Sequence, residues 1–266
     1  MKNFTRLFDL ERTPLDGAQA PSDVVAPVMD FSASAVLRTA PVKVDPAALE
    51  RARILPSGAG GPNGAPYKML RTQVLRRLEQ LGATSLAVIS PCSQDGKTLT
   101  AINLAITIAA AADRTSLLVD FDLRNPGIHK RFGFEPQAGA DDCLQSGVPP
   151  QDALVRIEGY ERLTVLPTRA RVEQSSELLN TQRAGDLVTE LRNRYLNRIM
   201  IFDLPPVLQA DDVLAFSRHI QAALLVVNER HTRREDVTRT LELLRDTPVV
   251  GTVLNGSRTP DTQYYY

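Results

Sequence analysis

At 266 residues the chain has room for one large α/β domain and an extension. Lysine plus arginine balance aspartate plus glutamate at 31 each, which argues against a general nucleic-acid-binding surface. Cys92 and Cys143 form neither a disulfide framework nor a zinc spacing, the histidines do not cluster, and no apolar run approaches the roughly 20 residues of a membrane span.

The N-terminus lacks the apolar core of a signal peptide, so a cytoplasmic chain is expected, with any membrane attachment supplied by a partner. Residues 1–62 carry Pro14, Pro21, Pro27, Pro41, Pro46, Pro56 and Pro62 and run into a glycine-rich stretch. They read as a loosely ordered N-terminal arm and linker. Within the arm, Phe4, Leu7, Phe8 and Leu10 with Lys2 and Arg6 suggest a short amphipathic docking helix, with coil as the plainer alternative. From Tyr67 the pattern becomes regular. Leu70, Val74, Leu78 and Leu81 recur at helical spacing. Apolar runs predict strands over 85–90, 116–121, 163–166, 199–202, 222–227 and 249–254, with helices over 97–112, 177–195 and 234–246 between them. Strands that are apolar throughout and alternate with helices predict an α/β fold, a mostly parallel, doubly wound sheet covered on both faces. The expected units are the arm over 1–62, a domain over 63–258 and a flexible tail over 259–266.

Open parallel sheets bind ligands at the carboxyl ends of their strands, and the chemically loaded residues fall there. The first strand runs into Ser90-Pro91-Cys92-Ser93-Gln94-Asp95-Gly96-Lys97-Thr98, a phosphate-binding pattern with Pro91 in place of its first glycine. In such a loop backbone N–H groups and a helix N-terminus hold phosphates, the lysine reaches the outer ones, and the Thr hydroxyl ligates Mg²⁺. The second strand ends in Asp120-Phe121-Asp122-Leu123-Arg124; residues two apart share a face while extended geometry lasts. The third ends at Asp203. Any one of these aspartates could cap a turn, but three on matching strand ends fit an oxygen-seeking Mg²⁺ better. Tyr264, Tyr265 and Tyr266 close the chain and make up half of its six tyrosines. A nucleotide site together with hydroxyl acceptors at a chain end suggests a kinase that modifies itself or its neighbour.

On Gly96-Lys97-Thr98, on Leu118-Val119-Asp120-Phe121-Asp122-Leu123-Arg124 and on Ile201-Phe202-Asp203-Leu204-Pro205-Pro206, the chain resembles the bacterial tyrosine kinases. These are P-loop autokinases of exopolysaccharide and capsule biosynthesis. Ser176-Glu177-Leu178-Leu179, Val253-Leu254-Asn255 and the tyrosine tail extend the match, which runs from about Pro66 onward and is nearest the exosortase-associated type. The resemblance implies a P-loop NTPase fold of the deviant Walker type, with ATP and Mg²⁺ as ligands. It implies that Lys97 neutralises the β- and γ-phosphates and that Thr98, Asp122 and Asp203 hold the metal. Asp120 would be the base or orienting group for a tyrosine hydroxyl, and Asn255 would lie near the adenine. Ser93, Gln94, Asp95, Gly96, Leu99 and Arg124 would complete the nucleotide site. Tyr264, Tyr265 and Tyr266 would be phosphoacceptors, served in trans within a homo-oligomer. The implied partner is a membrane-bound polysaccharide co-polymerase or activator that recruits the chain to the inner face of the membrane.

Two departures carry consequences. Ser93-Gln94-Asp95 replaces the family's Pro-Gly-Glu or Pro-Gly-Asp, so a backbone position requiring positive φ would be strained by Gln94. Ala65, Lys68 and Arg71 stand where the family carries a Glu-x-x-Arg-x-x-Arg ring contact, and lysine lacks arginine's fork; Arg71, Arg76 and Arg77 then read as a solvated helix face. The alternatives are a nucleotide-switched ATPase of the partition and cell-division type, and a regulatory subunit with impaired nucleotide binding. The former usually carries a second lysine early in the loop, and none occurs between Thr84 and Gly96.

Overall fold

The computed structural model describes residues 6–8, 41–61, 63–194 and 198–257. The tyrosines at 264–266 and most of the arm lie outside the described residues. Strand β1 (Arg6–Phe8) pairs antiparallel with the last strand, Leu7 opposite Val253. The docking helix expected there is therefore not formed at these residues.

Residues 42–61 fall in the stretch expected to be irregular, yet they carry helix α1 (Pro46–Arg51) and place Leu49, Ile54, Leu55 and Ala59 in the main core. The prolines had been read as breakers. Pro46 instead occupies the first turn, where its fixed φ suits a helix and its missing N–H costs nothing. Asp45 caps the turn by accepting from the Ala47 N–H at 2.9 Å. Asn103 then ties the segment down, accepting from the Leu55 N–H at 2.9 Å and donating to the Arg53 carbonyl at 3.0 Å. Tyr160 donates its hydroxyl to the Leu55 carbonyl at 2.8 Å.

Helix α2 (Gly64–Gln80) buries Tyr67, Leu70, Val74 and Leu78; of the stripe that the spacing predicts, Leu81 instead follows the helix as its cap and is exposed. Ala65 and Lys68 are exposed, whereas Arg71 donates to the Thr107 carbonyl at 3.1 Å, so it is not part of a purely solvated face. Strand β2 (Ser85–Ile89) leads through the phosphate loop into α3 (Lys97–Ala109), which is buried on nearly every side between α2 and the sheet. Strand β3 (Thr115–Asp120) follows, then short helices α4 (Ile128–Phe132), α5 (Ala140–Ser146) and α6 (Pro150–Ala153). A small strand β4 (Val155–Arg156) turns back antiparallel onto β5 (Leu163–Leu166). The single helix predicted over 177–195 is two, α7 (Ser175–Leu179) and α8 (Gln182–Asn193). They break where Thr181 caps the second by accepting from the Ala184 N–H. Strand β6 (Arg198–Asp203), α9 (Asp212–Phe216), β7 (Ala223–Asn228), α10 (Arg234–Leu243) and β8 (Val249–Asn255) complete the chain order.

The sheet runs β1-β8-β7-β2-β6-β3-β5-β4, parallel from β8 to β5 and antiparallel at both edges. Alternate residues serve opposite cores. Leu118, Ile201 and Leu224 pack toward α2 and α3, while Leu117, Val119, Met200 and Phe202 pack toward α5, α8 and α9. This is the doubly wound, mostly parallel fold read from the sequence. Because β6 lies between β2 and β3, the carboxyl ends of all three strands meet in one crevice.

Candidate active site

The register brings the aspartates together. Asp120 and Asp203 end neighbouring strands as direct partners, and by alternation both project to the α3 side. Behind them Phe121, Phe202 and Phe216 form an aromatic cluster, with Phe121 stacked on Phe202 at 5.5 Å between centroids. Lys97, the first residue of α3, donates from Nζ to Asp203 Oδ1 at 2.8 Å and to Asp122 Oδ2 at 3.1 Å. Burial alone pulls the Lys97 ammonium down, but Asp203 and Asp122 more than offset this and hold it above its ordinary value.

The three carboxylates differ. Asp122 borders the cleft; burial raises its pKa, Lys97 opposes that, and Asp203 adds to it. Asp203 is fully buried and its Oδ2 has no hydrogen-bond partner among the described residues. Asp120 is likewise fully buried. Its Oδ2 accepts from the Gly127 and Ile128 N–H groups, each at 3.0 Å, while Oδ1 is without a partner. Burial, then the charge of Asp203, pushes it up to about 8. Asp120 therefore sits behind the cleft wall, and Asp122 is the carboxylate that faces the space in front.

That space is a cleft of about 580 Å³, bordered by Ser93, Gln94, Gly96, Lys97, Thr98, Asp122 and Arg124. Its size is that of a small-molecule site. Arg124 is aimed by acids on α9: its Nε donates to buried Asp212 at 2.9 Å and its Nη2 to Asp211 at 3.3 Å. Gln94 has φ +67° and Gly96 φ +95°. A left-handed Gln94 is the strain that the sequence made conditional on this position needing positive φ. Gly96 has no substitute, since a Cβ there would lie 1.7 Å from Asn255 Nδ2.

Three expected ligand residues are elsewhere. The Asp95 side chain is fully buried and does not border the cleft; Oδ2 accepts from the Cys92 N–H at 2.9 Å and Oδ1 from the Thr232 hydroxyl at 2.7 Å. Asn255 spends its amide on the loop, donating to the Asp95 carbonyl at 2.9 Å and accepting from the Gly256 N–H. Leu99 faces the core. The cleft is also bordered by residues that sequence reasoning missed: Asn125, Gly127, Arg131 and Gln209. Pro205 and Pro206 also border it, within a quoted motif but given no role. The Cys92 thiol is pushed up by burial and by Asp236 and Asp95, away from the thiolate form.

The donor set suits a hard cation. Two carboxylates already share one positive charge, one of their oxygens is unsatisfied, and the Thr98 side chain borders the same cleft. Among the described residues no group of three or more His, Cys, Asp or Glu is arranged to hold a metal alone. Also among the described residues, no helix is long and apolar enough to cross a membrane.

No protein-family model matches the chain. Tyrosine-protein kinase YwqD of Bacillus subtilis (strain 168) is 27% identical over 198 residues, 74% of this chain and 82% of the relative. Tyrosine-protein kinase CpsD of Streptococcus pneumoniae serotype 4 is 28% identical over 194 residues, 71% of this chain and 82% of its own. The succinoglycan biosynthesis transport protein ExoP of Rhizobium meliloti (strain 1021) is 29% identical over 175 residues, 64% of this chain but 22% of that protein. Among solved structures, the chimerical protein CapA2B2 superposes with a TM-score of 0.68 at 28% identity, covering 76% of this chain and 87% of that one. The septum site-determining protein MinD of Pyrococcus horikoshii OT3, complexed with Mg-ADP, shares the fold alone: TM-score 0.53, 20% identity, 63% of this chain and 68% of that one. None of these matches distinguishes the exosortase-associated type. In sequence and in fold together, the chain is a relative of the bacterial tyrosine-protein kinases.

Proposed function

We propose that the chain is an ATP- and Mg²⁺-dependent protein-tyrosine autokinase that phosphorylates Tyr264, Tyr265 and Tyr266 in trans and regulates a membrane-bound polysaccharide export assembly. The observation that carries this reading is the buried bridge from Lys97 to Asp122 and Asp203, of which Lys97 and Asp122 border a nucleotide-sized cleft. The names of YwqD, CpsD and ExoP support the tyrosine chemistry and the polysaccharide setting.

Phosphoryl transfer is mainly positioning and charge stabilisation. The loop N–H groups before α3 would hold the phosphates at the helix N-terminus. Lys97, released from the carboxylates, would turn to the outer phosphates, and Arg124, held by Asp212 and Asp211, would add a second cation. Asp122, Asp203 and Thr98 would hold Mg²⁺, which would supply positive charge to offset that of the phosphates. A tyrosine hydroxyl with a pKa of about 10 needs an acceptor for its proton. Asp120, the group the resemblance offers for this, lies behind the cleft wall and would act indirectly, by fixing the Gly127–Ile128 turn.

The test is intact-protein mass after incubation with Mg·ATP. Successive phosphate additions on the full chain, absent when residues 264–266 are deleted, are expected. The likeness to MinD favours a second reading, a nucleotide-switched ATPase. ATP turnover with no added mass on the full chain would establish that reading instead.

A further inference from the structure

A carboxylate inside a phosphate-binding loop has no evident place, since it repels the ligand and is costly to bury. Asp95 is nonetheless 0% exposed. Burial raises its pKa, and the bonds from Thr232 and Cys92 with the nearby His231 oppose the rise. Its partners come from distant parts of the chain. The Thr232 hydroxyl, on the turn after β7, donates to Oδ1 at 2.7 Å, and His231 Nδ1 lies 3.3 Å from the same oxygen. The turn is itself braced: the Asn228 N–H donates to Thr232 Oγ1 at 2.8 Å, and the Thr232 N–H to the Asn228 carbonyl at 3.0 Å. From the next strand, β8, Asn255 holds the Asp95 carbonyl at 2.9 Å and fills the space beside Gly96.

We propose that Asp95 is a positioning residue. Its buried carboxylate, bonded to Thr232, clamps the phosphate loop in its binding shape, and the turn after β7 and the end of β8 are thereby part of the nucleotide-binding machinery. The loop requires such a clamp because Gln94, next to Asp95, is left-handed without being glycine. Strained backbone of this kind persists only where its surroundings over-determine it. The clamp does so from behind, leaving Ser93, Gln94 and Gly96 bordering the cleft. Charge as such is not what the clamp uses. An asparagine at this position could accept from the Cys92 N–H through its oxygen and donate to the spare lone pair of the Thr232 hydroxyl. An alanine could do neither.

The inference rests on the reading of the cleft as a Mg·nucleotide site, and one titration separates the two. Binding of a fluorescent Mg·ADP analogue is measured on the full chain and on Asp95→Ala, Asp95→Asn, Thr232→Val and the Asp95→Ala/Thr232→Val pair. Each of Asp95→Ala and Thr232→Val is expected to weaken binding about tenfold, and the double variant clearly less than the product of the two, since the Asp95–Thr232 bond is lost in both. Asp95→Asn is expected within about threefold of the parent. Asn as damaging as Ala would overturn the clamp in favour of a charge requirement. Additive losses, or variants that bind as the parent does, would overturn it outright. Thr232→Val keeps the comparison valid if Asp95→Ala folds poorly. A parent chain that does not bind Mg·ADP would sink the nucleotide reading and the clamp with it, whereas normal binding by all variants would sink the clamp alone.

Discussion

Asp203 and Asp95 are equally hidden from solvent, one at the front of the phosphate loop and one at its back, yet their charges are met differently. At the front, Asp203 and Asp122 lean on the single ammonium of Lys97, and Asp203 Oδ2 and Asp120 Oδ1 are left unsatisfied. At the back, both oxygens of Asp95 are paired with an N–H and a hydroxyl from the chain itself. Unsatisfied buried oxygens are rare and call for an explanation. In the proposed reading the cation would complete Asp203, while the fully paired Asp95 is scaffolding. Sequence type alone cannot separate the two, because each is an aspartate beside a glycine, a lysine or an apolar run.

The largest expected effect breaks the front cluster. Lys97→Met leaves two buried carboxylates without their shared cation and is expected to cost about 3 kcal/mol in urea unfolding at pH 8. Millimolar Mg²⁺ should recover more stability in the variant than in the parent; equal recovery would contradict a cation site there. Next, Gly96→Ala combines positive φ with the Asn255 contact. It is expected to weaken Mg·ADP binding more than the tenfold expected of Asp95→Ala, read in the same titration.

Asp120→Asn tests the charge balance through pH. The folded chain keeps the Asp120 proton up to about 8, whereas the unfolded chain releases it near 4. The native state thus binds the extra proton across that window, and this carboxyl makes the parent less stable as pH rises through it. The asparagine variant should gain most over the parent at pH 8 and nothing near pH 4, measured by urea midpoints; a constant gap would show that Asp120 is not held neutral. The smallest effect is at Gln94. Gln94→Gly should relieve about 1 kcal/mol of strain and tighten Mg·ADP binding a few-fold.

Much of this arrangement was legible in the sequence. The six parallel strands announced themselves as short apolar runs, and Asp120, Asp122 and Asp203 stood at their ends because residues buried on both faces leave polar groups only at the rim. Gln94 could be flagged because backbone demand, unlike contact, is local. Residues 42–61 were misread because Pro46 was counted with the helix breakers, although Asp45 directly before it is the capping residue that marks a proline as the first turn of a helix. Asp120 and Asp122 were expected on one face for as long as extended geometry lasts. Strand β3 ends at Asp120, however, and the next residues turn, with the Asn125 N–H on Asp122 Oδ1. Thr232, His231 and Asn255 reach Asp95 across 136 to 160 positions, and no single-sequence pattern carries such a pairing.

The most direct test mixes two defective chains with Mg·ATP: Asp122→Asn with its tail intact, and an otherwise unaltered chain lacking residues 264–266. Intact mass then reports which chain gains phosphate. The account predicts successive additions on the Asp122→Asn chain in the mixture and none on either chain alone. ATP consumed while neither mass changes would contradict it.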